Sequence, residues 1–240
     1  MDEEIVKEKY NEVKGTDYEK VRWFSNNVAK GMYEMTKESI RRHTLQKTGS
    51  FQHYLEVGPG PGTWTKLFIE KYPKAEYDLV DISREMLGLA KNNLPESSQI
   101  NFYEKNFSNF IGDEKYDFFF SSRALEYFSN KEKIIKKITS LLKEGGDGFI
   151  ITKTPKYWAN KLLRRKTNSF HSGQICWQEL VSLLEKNGCT ISGVYPVTVS
   201  FPFLKSARLS RLLFKVLSPL PMNFLSDIFS ESYCVKFVKK

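Results

Sequence analysis

An open α/β sheet, mostly parallel and covered by helices on both faces, is the fold this sequence predicts. Three observations predict it. Short apolar, strand-like runs alternate with amphipathic helical segments from residue 51 onward, the rhythm of a parallel sheet. A chain of 240 residues that is 40% hydrophobic and 14% aromatic can bury one substantial core. A glycine-rich turn joins the first strand to a helix, where sheets of this kind bind ligands.

The elements follow in order. Residues 3–12 and 17–44 read as helical, the second with an apolar stripe of Trp23, Val28, Met32, Met35 and Ile40. Gly49-Ser50 turns the chain into a strand at Phe51–Val57. A helix at Thr63–Tyr72 and a strand at Glu76–Val80 come next. Ser83 is placed to cap a helix at Ser83–Asn93 whose inner side carries Met86, Leu87 and Ala90. Strands are predicted at Ile100–Tyr103 and Tyr116–Ser121, the latter apolar enough to be buried on both faces. A helix at Lys131–Leu142 should end at Gly145-Gly146, before a strand at Gly148–Lys153. A helix at Trp177–Lys186 and strands at Thr190–Val197 and Tyr233–Val238 complete seven strands. One domain, 1–240, is expected: a helical cap over 1–48, a core over 49–198 and 231–240, and insertions at 154–172 and 199–230. Both insertions are long for plain connections and suit a lid or a binding surface.

Composition restricts the function classes. The start, Met1-Asp2-Glu3-Glu4, lacks a secretory apolar region, and no apolar run reaches the roughly 18 residues of a spanning helix. Cys176, Cys189 and Cys234 match no zinc spacing, so no metal is expected, and they suit a reducing cytoplasm. The net charge of +9 sits in one region. Residues 148–226 hold eleven Lys or Arg against two acids, Glu179 and Glu185, and the rest of the chain balances. Such a field attracts lipid head groups, phosphates or nucleic acid.

The turn reads Leu55-Glu56-Val57-Gly58-Pro59-Gly60-Pro61-Gly62-Thr63. Asp81 ends the next strand, 21 residues after Gly60, where an acid can accept hydrogen bonds from both hydroxyls of a ribose. A pyrophosphate would need backbone N–H groups from the turn, and Pro59 and Pro61 have none. The turn suits a nucleoside cofactor without phosphates, where glycine permits close backbone approach. S-adenosylmethionine is such a cofactor, and Glu56 adds a negative charge near its cationic end.

In Glu56-Val57-Gly58-Pro59-Gly60-Pro61-Gly62 the chain resembles the first motif of the class I S-adenosylmethionine-dependent methyltransferases. The resemblance spans Phe51–Gly188, with a final strand at Tyr233–Val238. It implies a Rossmann-like, seven-stranded sheet whose last strand is antiparallel, with a helical insertion on the acceptor side. It also implies that Gly58, Pro59 and Gly60 pass under the cofactor, Asp81 binds its ribose and Ile82 packs on its adenine. Asn106 stands where the family usually has Asp, and its amide still offers a donor and an acceptor to the adenine edge. Phe107 would give its backbone N–H to the same ring, and Ser122 would meet the methionine end. Ser122-Arg123-Ala124-Leu125-Glu126-Tyr127 resembles the small-molecule, quinone-biosynthesis-like branch, with Tyr127 in place of a usual His. The alternatives are a dehydrogenase-type nucleotide site and a non-catalytic cofactor-binding module.

The acceptor is less legible. A hydroxyl acceptor needs a base, and His171, in Ser169-Phe170-His171-Ser172, is the candidate, against an ordinary loop histidine. His43 and His53 read as structural. Residues 206–217 place Arg208, Arg211 and Lys215 on one helical face and Leu209, Leu212, Leu213, Val216 and Leu217 on the other. That pattern fits a helix lying in a membrane interface and equally a lid helix packed on its own core. The reading is O-methylation of a small-molecule, lipid or lipid-linked acceptor, such as a glycan or a quinone precursor, at the cytoplasmic membrane face. RNA methylation through the basic half is the rival, although its aromatics do not interleave with the basic residues as in a known RNA-binding motif.

Overall fold

The computed structural model describes residues 3–12, 17–97, 99–112, 115–155, 173–201 and 206–240. Among them run α1 (Glu3–Asn11), α2 (Tyr18–Trp23), α3 (Asn27–Ile40), β1 (His53–Val57), α4 (Thr65–Lys71), β2 (Glu76–Asp81), α5 (Arg84–Asn93) and β3 (Ile100–Glu104). There follow β4 (Tyr116–Ser122), α6 (Lys131–Leu141), β5 (Leu142–Lys153), α7 (Trp177–Lys186), β6 (Cys189–Val199), α8 (Ala207–Leu217), α9 (Phe224–Phe229) and β7 (Ser230–Lys239). The seven strands form one sheet in the order β3-β2-β1-β4-β5-β7-β6. All neighbouring pairs are parallel except those of β7, which runs antiparallel to both β5 and β6.

The strict alternation of side chains along each strand builds two cores. Leu55, Phe119, Ile150 and Val235 point to one face, where Ile134 and Ile138 of α6 and Leu180 and Leu184 of α7 cover them. Tyr54, Phe118, Phe120, Phe149 and Cys234 point to the other, under Ile40, Phe68 and Ala90. Both faces are apolar because both carry helices, which is why β4 reads as a continuous Phe run. The β5–β7 pair is fitted tightly at one point: a Cβ on Gly148 would fall 2.1 Å from the ring of Phe237, its cross-strand partner. A third, smaller cluster joins α3, β6 and α8 through Met35, Val199, Phe214 and Leu217.

Four details differ from expectation. The long N-terminal helix is split at Phe24–Asn26, because the Asn26 side chain accepts from the N–H groups of Val28 and Ala29 and starts α3 afresh. α3 then closes in a π-type turn, Arg41–Leu45. α6 stops at Leu141, and the chain enters β5 at once through a register shift opposite Tyr116 and Phe118. Gly145, at a φ of 76°, thus serves the irregular start of a strand and not a helix end. The short helix α9 was not expected; Asn223 and Ser226 form a reciprocal cap that starts it. No described helix is long and apolar enough to cross a membrane.

Candidate functional site

The carboxyl ends of β1, β2 and β4 lie side by side, and the turns leaving them enclose one large cavity. It holds about 1170 Å³, its mouth included. The glycine turn forms its floor. Gly58, Gly60 and Gly62 all have positive φ, at 73°, 56° and 80°. Gly58 must be glycine for a second reason, since a Cβ there would fall 2.5 Å from that of Ala124. Side-chain atoms at Gly58 would push the β1 and β4 turns apart.

Two carboxylates hold this turn, Asp81 half-buried on the cavity wall and Glu56 buried behind it. Asp81 Oδ2 accepts the Gly60 N–H at 3.1 Å, and Oδ1 accepts the Ser83 N–H at 2.9 Å. A carboxylate has about four acceptor positions, so Asp81 keeps capacity for a ligand's hydroxyls. Burial raises its pKa from 3.8 to about 6, against the lowering effect of those N–H donors. Glu56 is fully buried on β1 beneath the turn, and Oε2 accepts from Tyr54 (2.9 Å) and from Thr65 on α4 (2.7 Å). Its Oε1 is buried without a partner. Burial pushes Glu56 up to about 7, and the two hydroxyls only partly offset it.

Gly58, Pro59, Gly60, Asp81, Ile82, Asn106, Phe107 and Ser122 all line the cavity. Glu56 does not; it supports the turn from behind. Asn106 uses its carbonyl oxygen to accept the Ser108 N–H at 2.8 Å, leaving its amide N–H₂ as the group free to meet an adenine. The Phe107 ring packs toward Phe110, Phe119 and Phe128. His171 lies outside the described residues. His43 is buried, stacked on Tyr195 at 3.9 Å and bonded through Nε2 to the Ser218 carbonyl, and burial lowers its pKa to about 4.

Sequence reasoning missed the other half of the wall. Tyr10, Tyr18, Arg22 and Trp23 reach the cavity from α1 and α2, and Arg123, Tyr127 and Lys153 reach it from the carboxyl ends of β4 and β5 and the turn after β4. α1 is tied across the opening: the Tyr10 and Tyr127 hydroxyls lie 2.6 Å apart, Asn11 accepts from Ser83 at 2.7 Å, and Lys7 pairs with Glu104 at 3.1 Å. A cluster of Tyr, Trp and Arg in one short N-terminal helix was the available signal. The described residues contain no group of acids, His and Cys able to hold a metal.

A nucleoside cofactor with a cationic amino-acid end fits these residues: Asp81 retains acceptor capacity, Gly58 and Gly60 leave the turn's backbone open to close approach, and a partnerless buried carboxylate oxygen lies behind it. The fold and this motif define a class of protein, the S-adenosylmethionine-binding α/β domains. Residues 55–146 match the family model described as a methyltransferase domain. Over these residues the chain is similar to the S-adenosylmethionine-dependent methyltransferases. It is 30% identical over 114 residues to malonyl-[acyl-carrier protein] O-methyltransferase 1 of Ilyobacter polytropus, covering 45% of this chain and 42% of that protein. It is 29% identical over 142 residues to demethylmenaquinone methyltransferase of Chlamydia pneumoniae, covering 56% of this chain and 60% of that one. The chain thus spans roughly half the length of these relatives. The fold matches that of magnesium protoporphyrin IX methyltransferase from Synechocystis PCC 6803 with S-adenosylhomocysteine bound, at a TM-score of 0.67, 14% identity and full coverage of both chains.

The buried carboxyl of Glu56 makes the ligand-free protein sensitive to pH. A carboxyl raised on folding favours the folded state below its ordinary pKa, and that contribution is lost as pH rises through the folded value. For Glu56 the window runs from 4.5 to about 7. Glu56→Gln keeps an acceptor for Tyr54 and Thr65 and removes the charge. Urea unfolding of the ligand-free variant should therefore show a smaller loss of stability between pH 5 and 8 than the parent, by roughly 3 kcal/mol. Parallel pH profiles would contradict the burial argument.

Proposed function

We propose that this protein transfers the methyl group of S-adenosylmethionine to an oxygen of a small amphiphilic acceptor, a lipid or lipid-linked intermediate, at the cytoplasmic face of a membrane. The observation that carries the transfer is the single cavity in which the glycine turn and Asp81 meet an aromatic and basic wall. S-adenosylmethionine, when bound, supplies a methyl group on a sulfonium, open to in-line displacement by a nucleophile. The chain's part is chiefly to bind and position. Asp81 holds the ribose, Ile82 packs on the adenine, Asn106 donates to its edge, Phe107 gives it a backbone N–H, and Ser122 meets the amino-acid end. Glu56, buried behind the turn, would add a negative charge near the cofactor's positive end once that cation is bound. α1, through the Tyr10–Tyr127 bond, keeps water out of the acceptor side. For a hydroxyl acceptor the base we assign is His171. Relatives named for O-methylation of a malonyl carrier and for methylation of demethylmenaquinone support a small or carrier-linked acceptor.

The membrane part rests on α8. Only Ser210, Phe214 and Leu217 of this helix are buried against the body. Leu209, Leu212 and Val216 form a separate exposed row, continued by Leu220, Phe224 and Leu225. Arg208, Arg211 and Lys215 are exposed beside that row. Exposed leucines flanked by cations match an anionic lipid interface, and an RNA phosphate backbone would have no use for the leucines.

Two outcomes follow. Asp81→Ala should weaken S-adenosylhomocysteine, measured by calorimetry, by roughly 1.5–3 kcal/mol, or ten- to a hundredfold, because charged hydrogen bonds to the ribose are lost. Unchanged affinity would remove Asp81 from the site. The protein should co-sediment with phosphatidylglycerol vesicles and much less with phosphatidylcholine vesicles, and the double variant Leu212→Glu, Val216→Glu should lose about tenfold or more of that binding. A protein that ignores both vesicles, or a variant that binds as the parent does, would remove the membrane from the account.

A further inference from the structure

We propose that the acceptor side of the cavity is an oxyanion site in which Arg22, Arg123 and Lys153 bind a carboxylate or phosphate group carried by the acceptor. The proposal rests on the methyl-transfer reading and narrows it to anionic acceptors.

Three elements bring these cations together. Arg22 lies on α2 with its guanidinium 4.5 Å above the Trp23 ring. Arg123 directly follows β4, and Lys153 ends β5, the neighbouring parallel strand. The Arg123 N–H donates to the Ile151 carbonyl at 2.8 Å, extending the ladder past the end of β4. Arg123 is also the one non-glycine residue with positive φ among those described, at 62°. All three side chains line the cavity.

Their charges are only partly answered by the protein. Among the described residues, none of the three has an acid within ion-pair distance. Arg123 Nε is buried without a hydrogen-bond partner, and Nη2 reaches only the Ser232 hydroxyl, at 3.4 Å. Two acids offset part of this charge, Glu126, which also lines the cavity, and Glu231, so two carboxylates stand against three cations. Glu126 Oε1 accepts the Lys153 backbone N–H at 3.1 Å, and Glu231 Oε1 accepts from Ser200 at 2.7 Å. Burial, and then the Arg123 charge, lower the pKa of Lys153, and burial lowers that of Arg123. Lys131 is different: its ammonium is bound to the Phe128 carbonyl, and it does not line the cavity.

Cations held in a half-buried, aromatic-walled cavity are costly unless an anion joins them. The cofactor does not balance them. It brings one carboxylate together with an ammonium and a sulfonium, for a net positive charge. The missing negative charge must come with the acceptor. A guanidinium fork offers two parallel N–H donors, a geometry that matches the paired oxygens of carboxylate and phosphate alike.

The test uses the intact protein saturated with S-adenosylhomocysteine, titrated with citrate and, separately, with inorganic phosphate. Trp23 and Trp64 line the cavity and report binding by fluorescence. The expected result is saturable binding of at least one anion. Arg123→Gln and Lys153→Met should each weaken it by about tenfold or more, with partial recovery in Arg123→Lys. Preference for citrate would name a carboxylate acceptor, and preference for phosphate a phosphorylated one. S-adenosylhomocysteine affinity is measured on the same proteins. Its retention in Lys153→Met shows a folded site, and its absence in the parent would defeat the methyl-transfer reading instead. The proposal is overturned if neither anion binds the saturated parent, or if binding ignores these substitutions. It is equally overturned if they weaken S-adenosylhomocysteine and leave anion binding alone, because the cations would then hold the cofactor's own carboxylate.

Discussion

The site depends on how two carboxylates, one buried and one half-buried, hold one glycine turn. Glu56 ties β1 to α4 through Thr65, and Asp81 ties the end of β2 to Gly60 in the turn itself. Neither acid is easy to bury, and both are pushed up to within reach of neutral pH. The ligand-free protein therefore carries a standing electrostatic strain at the floor of its cavity. Hydrogen-bond donors and positive charge brought by a ligand would relieve it. The close approach of Gly58 to Ala124 then sets the distance between the β1 and β4 turns. A shift of either carboxylate would move the turn, and with it every residue lining the cofactor end.

Charge divides the cavity into two ends. The β1–β2 end is acidic, with Asp81 on the wall and Glu56 behind it. The β4–β5 end is basic on balance, with Arg22, Arg123 and Lys153 against the carboxylate of Glu126. A cationic cofactor and an anionic acceptor would each be drawn to the opposite end, which orients both before chemistry begins. α1 and α2 roof both ends. They are held by polar ties at Tyr10, Asn11 and Lys7 and by two buried apolar side chains, Val6 of α1 and Trp23 of α2, the latter packed on Trp64 and Tyr33. α8 adds a third surface, basic and leucine-lined, on the outside.

Much of this was legible in the sequence, and for definite reasons. The seven strands were readable because both faces of the sheet are buried, which turns strands such as Tyr116–Ser121 into unbroken apolar runs. The turn was readable because glycine and proline leave few conformations open, and Asp81 because its spacing from the turn is fixed by one helix and one strand. Other features were not. Asn26 inside an apolar stripe looks like one more polar helix residue until its side chain is seen capping α3. Leu209, Leu212 and Val216 share a periodicity with Leu213 and Leu217, and only the packing shows that the first three face outward. Arg123 and Lys153 lie 30 positions apart and meet because β4 and β5 are neighbours. Arg22 joins them from a helix whose place over the sheet no local pattern encodes.

The central claim is that this cavity is built for a phosphate-free, cationic nucleoside cofactor. Calorimetric titration of the unmodified protein with S-adenosylhomocysteine, beside NAD and ADP, tests it most directly. The account predicts saturable binding of S-adenosylhomocysteine and none of the two phosphate-bearing ligands, since Pro59 and Pro61 offer a phosphate no N–H groups. Binding of NAD or ADP with no response to S-adenosylhomocysteine would contradict it.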